Sequence, residues 1–161
     1  DFSRCYLALS TLKHRPAEEL WPIFWKRWQE DAYNDYGAHY FFIQLLGSLD
    51  DWPSAATSTI ESLLLEAMHS KRPQFSKSKV AACLTLNKHF PDIWCKSVQQ
   101  LLSSDLTASW ELRYAALMGL GSIDFGNNHE IFQLLKNDLS VQDPDPFVDR
   151  RRQLLISENR V

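Results

Sequence analysis

Two stretches of the chain repeat each other without a gap: Tyr40–Asp50 (YFFIQLLGSLD) and Tyr114–Asp124 (YAALMGLGSID). A shorter stretch between them, Val80–Leu86 (VAACLTL), matches the second copy again. The matches place four leucines in one column, which are Leu9, Leu46, Leu86 and Leu120. The steps between them are 37, 40 and 34 residues. Because that period suits two helices and two turns, it predicts a fold of repeated helix pairs.

Helical periodicity extends along the whole chain, and no useful run of residues alternates as a strand would. The seven prolines lie mostly where helices would begin, and glycine occurs only five times. The pattern predicts an all-α fold with helices near 2–13, 17–30, 36–49, 54–70, 77–89, 92–103, 108–123, 128–138 and 146–158. Pro22 predicts either that the regular part of the second helix starts near Trp21 or that this helix is kinked.

The copy Trp110–Gly121 (WELRYAALMGLG) resembles the first helix of a HEAT repeat. That helix usually has an aliphatic-Arg pair, small residues and Leu-Gly, which are matched here by Leu112-Arg113, Ala116 and Leu120-Gly121. The run 143–148 (DPDPFV) resembles the start of another unit. The resemblance implies a right-handed α-solenoid of about four antiparallel helix pairs plus a C-terminal helix. It implies one HEAT-like domain over 1–161, either whole or a fragment of a longer solenoid.

The composition is that of a folded protein, with 45% hydrophobic and 23% charged residues. The net charge of −3 counts against a nucleic-acid partner, because phosphate contacts require clustered Lys and Arg. The three cysteines, Cys5, Cys83 and Cys95, show no metal-ligand or disulfide spacing, so we expect buried thiols and a reducing compartment. With no membrane-spanning run and no signal pattern, the sequence predicts a cytoplasmic protein without a membrane contact.

No catalytic signature is present, and the five histidines are scattered over different predicted helices. We therefore predict no catalytic residue, no metal, no cofactor and no enzymatic activity. What remains is a protein-binding surface. Trp21 and Trp25, beside Lys26 and Arg27, form a candidate aromatic and basic strip, since Trp and Arg often anchor interfaces.

The alternative for this helix is an ordinary core stripe, which we favour for Phe24 and Trp28 and leave open for Trp21 and Trp25. Arg150 and Arg151 belong to the only dense basic run and are further candidates for partner contacts, unless they form a solvated helix end. The sequence thus predicts a non-catalytic module that binds another protein of unknown identity.

Three other functions stay open at this stage. An immunity protein that neutralises a toxin is a special case of the binding module, because acidic charge would complement a basic toxin. A HEAT-like alkylpurine DNA glycosylase would share the scaffold, but the acidic balance counts against it. A phycobilin-lyase-like role rests on the fold analogy alone and ranks below both.

Overall fold

The structure is a computed structural model, and it describes residues 11–12, 14–31, 35–102, 108–123 and 129–158. These residues form helices and turns, with no strand among them, so the all-α prediction is confirmed. The helices are α1 (Ala17–Asp31), α2 (Tyr36–Ser48), α3 (Thr57–Met68), α4 (Ser76–His89), α5 (Pro91–Leu102), α6 (Trp110–Leu120), α7 (His129–Leu139) and α8 (Pro146–Glu158). Short 3-10 turns at Ser54–Ala56 and Pro73–Phe75 precede α3 and α4.

The chain divides into two compact units, Asp1–Lys88 and His89–Val161. The first holds α1 to α4, except for the last residue of α4, and the second holds α5 to α8. A single HEAT-like domain over 1–161 stays a prediction. None of the helices that the structure describes has the length and apolar character needed to cross a bilayer.

Three of the four leucines of the repeat column lie in the core. Leu46, Leu86 and Leu120 are each at most 1% exposed, which confirms that the aligned positions face inward. Leu9 lies outside the described residues. Phe24 and Trp28 are also buried, so their assignment to a core stripe is confirmed. Burying an aliphatic or aromatic side chain of this size contributes about 1.5–3 kcal/mol, which is why the apolar stripe of each helix turns inward.

Helices α2 and α4 approach each other closely at Gly47. A Cβ added to Gly47 would lie 2.6 Å from Oγ1 of Thr85, whose hydroxyl donates to the carbonyl of Ala81 on its own helix. About one turn further along α4, Nζ of Lys88 donates to the carbonyl of Gly47 at 3.3 Å and pairs with the Asp50 carboxylate at 3.5 Å. A small residue is therefore required here for a steric reason, as the Leu-Gly pattern implied.

Helix α1 begins at Ala17, within the predicted range 17–30, and Pro22 lies inside it. Of the two alternatives for Pro22, a regular helix that starts only near Trp21 is wrong, and a kink at Pro22 stays a prediction. The carbonyl of Pro16 accepts hydrogen bonds from the amides of Glu19 and Leu20, at 3.1 and 3.2 Å, and these bonds form the first turn. Pro22 removes a single donor from the helix, and the burial of the following aromatic face offsets that loss.

A buried charge cluster organises the second unit. The Arg113 guanidinium on α6 donates to both carboxylate oxygens of Asp143, at 2.8 and 2.6 Å, and Arg152 on α8 lies 3.3 Å from the same carboxylate. All three side chains are at most 5% exposed. Burial alone would raise the pKa of Asp143, but hydrogen bonds from Arg113 and the Asp145 amide, with the nearby positive charges, hold that pKa below its usual range.

Candidate ligand groove

Six side chains of the first unit form a continuous stack of rings, which we call the aromatic column. Successive ring centroids lie 4.2 to 6.0 Å apart, which is the range of favourable aromatic contacts. In order of contact, its members are Trp25, Trp21, Phe24, Trp28, His39 and Phe75. The column joins α1, α2 and the turn before α4, so it fixes the position of one wall of a groove.

That groove lies between α1 and α3, is open to solvent and has a volume of about 360 Å³. Trp25 and Trp28 line it from α1. Trp28 is buried whereas Trp25 is half-buried, so the Trp25 ring presents an open aromatic surface to the groove. A volume above about 300 Å³ is sufficient for part of a drug-sized organic ligand.

The opposite wall is polar along most of its length. Its residues recur at helical spacing on α3 and are Ser58, Thr59, Ser62, Leu63 and Glu66. The Ser62 hydroxyl donates to the carbonyl of Ser58 at 2.9 Å, which orients its oxygen as an acceptor. The groove thus combines an aromatic face with hydroxyl groups and one carboxylate, a combination that suits a flat conjugated molecule with N–H donors.

A smaller cavity of about 70 Å³ continues from the groove, since both spaces are lined by Trp28, Leu63 and Glu66. Its further walls include His39 and Arg72. The Arg72 guanidinium carbon lies 5.6 Å from the centroid of the Phe75 ring, a cation–π contact at the end of the aromatic column. The lining of the small cavity thus contains both the Arg72 guanidinium and the Glu66 carboxylate.

His39 is 3% exposed and stacks on Phe75 with an angle of 7° between the rings. Burial lowers the pKa of His39 to about 4, and the neighbouring charge of Arg72 acts in the same direction. The imidazole is therefore neutral at pH 7. Arg72 supplies the positive charge at this end of the site.

The described cysteines do not offer a reactive thiol. Cys83 and Cys95 are buried, as the sequence analysis expected, whereas Cys5 lies outside the described residues. Burial raises the pKa of the Cys95 thiol, and the charge of Asp92 raises it further. In the part of the chain with defined placement, no three His, Cys, Asp or Glu side chains converge on a possible metal position.

The structure brings together part of the predicted strip. Trp21 and Trp25 are both half-buried and stacked, with centroids 5.6 Å apart, so each is partly core and partly surface. Lys26 and Arg27 are exposed on the same helix, and Arg27 pairs with Glu30 at 3.6 Å. Neither basic residue lines the groove. Partner binding at these four positions stays a prediction.

Arg150 and Arg151 lie on α8 in the second unit. Arg150 is exposed, but Arg151 is half-buried with its guanidinium over Gly121, so its side chain already has an intramolecular contact. The third member of the basic run, Arg152, belongs to the buried cluster with Asp143. From the sequence alone the three arginines look equivalent, because the sequence does not show which face of α8 is covered.

The sequence analysis missed the polar wall. Ser62 and Glu66 read as an ordinary solvated helix face, and Arg72 as part of a loop. The only available signal was the i, i+4, i+8 spacing of Ser58, Ser62 and Glu66, which many exposed helices share. Their position opposite Trp25 and Trp28 becomes visible only in the structure.

The chain is similar to proteins of bilin biosynthesis and of a phycocyanin operon. Bilin biosynthesis protein CpeY from Synechococcus sp. (strain WH8020) is 39% identical over 161 residues, which is 98% of this chain and 37% of the relative. Uncharacterized phycocyanin operon protein Y from Pseudanabaena tenuis (strain PCC 7409) is 33% identical over 138 residues, which is 86% of this chain and 30% of the relative. The chain thus spans about a third of the length of these curated relatives. No family model and no solved structure matches it.

This similarity corrects the functional predictions. A relative that is 39% identical over nearly the whole chain is named for bilin biosynthesis. The predictions of a non-catalytic binding scaffold and of an immunity protein are therefore wrong. The prediction that the chain is not an enzyme is wrong for the same reason. The glycosylase alternative is contradicted with them. The physical reason is that a conjugated ligand can be held by stacking and hydrogen bonds from ordinary Trp, Ser and Glu side chains, which form no fixed sequence motif.

Proposed function

We propose that this chain acts in the attachment of a bilin to a phycobiliprotein, and that the groove of the first unit holds the bilin. The observation that carries the proposal is an aromatic groove with one carboxylate in a chain 39% identical to a protein named for bilin biosynthesis. The enzymatic role belongs to the same proposal. Because the relatives are about three times longer, their remaining parts would supply further contacts.

The chemistry of a bilin suits the groove. A bilin is an open-chain tetrapyrrole with flat conjugated rings, N–H groups along one edge and two propionate side chains. Trp25 offers a ring for stacking, and Ser62 and Glu66 offer acceptors for the N–H groups. Arg72 offers a guanidinium for a propionate. The groove of about 360 Å³ would hold part of such a ligand, and the adjoining cavity of about 70 Å³ extends the space toward Arg72.

Attachment adds a protein thiol across an exocyclic carbon–carbon double bond of the bilin. A carbon–sulfur bond forms, the thiol hydrogen is balanced by a hydrogen on the bilin, and neither an oxidant nor a leaving group is needed. Since Cys83 and Cys95 are buried, the thiol would come from a phycobiliprotein subunit. The expected protein partner is thus a phycobiliprotein subunit with a reactive cysteine. The candidates for contacting it remain Trp21, Lys26, Arg27, Arg150 and Arg151.

Binding of biliverdin, a commercially available bilin, tests the proposal. We expect bound biliverdin to quench the tryptophan fluorescence of the chain. The visible absorption spectrum of biliverdin should change on binding as well. Trp25→Ala should weaken binding about tenfold, which corresponds to about 1.4 kcal/mol of lost stacking and apolar contact. Trp110→Ala, which removes an exposed tryptophan of the second unit, is the matched control and should bind as the wild type does. Absence of binding, or equal binding by both variants, would contradict the proposal.

A HEAT-like, right-handed solenoid is the finer fold proposal. It is supported inside the first unit by the close approach at Gly47 and inside each unit by the buried column leucines. These contacts are of the kind that stacked helix pairs make. An experimental structure in which Gly47 and Thr85 do not touch would contradict it.

A further inference from the structure

Helices α6 and α8 of the second unit lie side by side and run in the same direction. The Arg113 guanidinium on α6 pairs with Asp143, which lies just before α8. Towards the other end of α6, the Arg151 guanidinium of α8 lies over Gly121. Both contacts join residues that are 30 positions apart along the chain. Because the offset is the same for both contacts, the two helices are parallel.

The solvent side of this helix pair carries a concentration of apolar side chains. Eight large hydrophobic side chains are exposed among the described residues, and five of them belong to α6 and α8. Three recur every four residues along α6, on the side that ends at Gly121, and two lie four residues before and three residues after Arg151 on α8. The contact between Arg151 and Gly121 therefore joins the two stripes. We call this surface the α6–α8 face, and its members are Trp110, Tyr114, Met118, Phe147, Arg151 and Leu154.

The α6–α8 face has the composition of the centre of a protein–protein interface. Trp, Tyr, Phe, Met and Arg are enriched at such centres, whereas Lys, Glu, Asp, Ser and Ala are depleted. The opposite side of α6, which packs inside the second unit, carries Leu112, Ala115, Ala116 and Gly119. Side chains on that side are small or aliphatic, as close packing between helices requires. The aromatic side of the same helix therefore indicates a different kind of contact, with another protein.

Arg151 adds an unsatisfied positive group to the face. Its side chain is half-buried, and its Nε is buried without a hydrogen-bond partner among the described residues. No carboxylate of the described residues forms an ion pair with its guanidinium. A buried N–H group without an acceptor is costly, so a carboxylate that approached from outside would form a favourable charge-assisted pair.

The charges on and around the face select the kind of partner. Arg150 is exposed beside Arg151, whereas the exposed acids Glu111 and Glu158 lie at the outer ends of α6 and α8. A second copy of this chain that used the same face would bring like charges together, which opposes self-association. Charge complementarity therefore favours a different protein with an acidic group in an apolar patch.

We propose that the α6–α8 face is the docking surface for the phycobiliprotein subunit that receives the bilin, and that Arg151 pairs with a carboxylate of that subunit. The inference rests on the function proposed above, which requires an acceptor protein with a thiol, and adds the surface that holds this acceptor. The groove lies in the first unit and the face lies in the second, so bilin binding and acceptor binding can be measured separately.

Isothermal titration calorimetry with recombinant, bilin-free α and β subunits of phycocyanin and of phycoerythrin tests the docking surface. We expect the full chain to bind at least one of these subunits. Met118→Ala and Arg151→Gln should each weaken that binding about tenfold, because the first removes apolar contact and the second removes the charge-assisted pair. Leu84→Ala and Lys96→Gln are the matched controls, since they remove a similarly exposed apolar side chain from α4 and one exposed positive charge from α5. Both controls should stay within about twofold of the wild type.

Circular dichroism shows whether each variant is folded, and Tyr114→Ala takes the place of a variant that is not. Equal affinities of the wild type and the folded face variants would overturn the docking surface, and so would a wild type that binds none of the subunits. Sedimentation that finds the wild type dimeric and Arg151→Gln monomeric would assign the face to a contact between copies and overturn it as well. Biliverdin binding by the same proteins is the separate readout: its absence from the wild type would overturn the proposed function, whereas its retention without docking would overturn only the docking surface.

Discussion

Lowering the pH should destabilise the first unit through His39. The imidazole is buried between Trp28 and Phe75, and burial lowers the pKa of His39 from 6.5 to about 4. The unfolded chain therefore takes up a proton on this residue at a higher pH than the folded chain does. The stability linked to neutral His39 is fully present above pH 6.5, decreases as the pH falls, and is lost by about pH 4.

The size of the effect follows from the same values. The interval from pH 6.5 to about 4, at about 1.4 kcal/mol for each pH unit, corresponds to a loss of about 3.5 kcal/mol in the free energy of unfolding. Since folded domains are stable by only about 5–15 kcal/mol, this loss should be easily measurable. His39→Phe retains an aromatic ring in the stack but cannot be protonated, so its stability should depend less steeply on pH in this interval.

Urea unfolding followed by circular dichroism, at several pH values between 7 and 4, measures the difference between the two proteins. A titration of the His39 imidazole by nuclear magnetic resonance gives its pKa directly. The reasoning is refuted if the imidazole titrates near pH 6.5. It is also refuted if His39→Phe loses as much stability between pH 7 and pH 4 as the wild type does.

Three further substitutions test the packing inside the two units. Gly47→Ala should destabilise the chain by about 1 kcal/mol, because overpacking against Thr85 costs about 1–3 kcal/mol and the gain in helix propensity returns less than about 1 kcal/mol. Gly121→Ala is its control: the close contacts of the added Cβ are with the flexible end of Arg151, and the Met118 carbonyl lies at an ordinary contact distance of 3.4 Å. The free energy of unfolding in urea should therefore shift by less than about 0.5 kcal/mol. Asp143→Asn should cost about 3–5 kcal/mol, since it leaves two buried guanidinium groups without their anion. A thermal or urea midpoint close to that of the wild type would contradict this last prediction.

The helices and the core positions could be predicted because they depend on local periodicity. The regular recurrence of Leu46, Leu86 and Leu120 encodes one buried face, and the structure places all three in the core. The effect of Pro22 on α1 could be predicted only as two alternatives, because the cost of Pro22 is local whereas the aromatic burial that offsets it depends on α2. At Pro22, tertiary packing therefore outweighs the low helix propensity of proline.

The ligand groove could be predicted only in part. Trp25 was named as a candidate because Trp often anchors interfaces, whereas Glu66 resembles any solvated acid of an amphipathic helix. Asp143 and Arg152 show the same limit, since Arg113 lies 30 residues away from Asp143 along the chain. Contacts at such separation are set by the way helices pack, and a single sequence contains no direct record of them.

The Arg152 side chain has a consequence for how the second unit loses its structure. Its guanidinium donates to the carbonyls of Leu102, at 3.4 Å, and of Asp138, and these acceptors lie at the ends of α5 and α7. If either helix detached, the buried Arg152 guanidinium and a helix-terminal carbonyl would each lose a hydrogen-bond partner. Partial unfolding of the second unit therefore has a high free-energy cost. The amide protons of α5 to α8 should therefore exchange with solvent as one cooperative block instead of helix by helix.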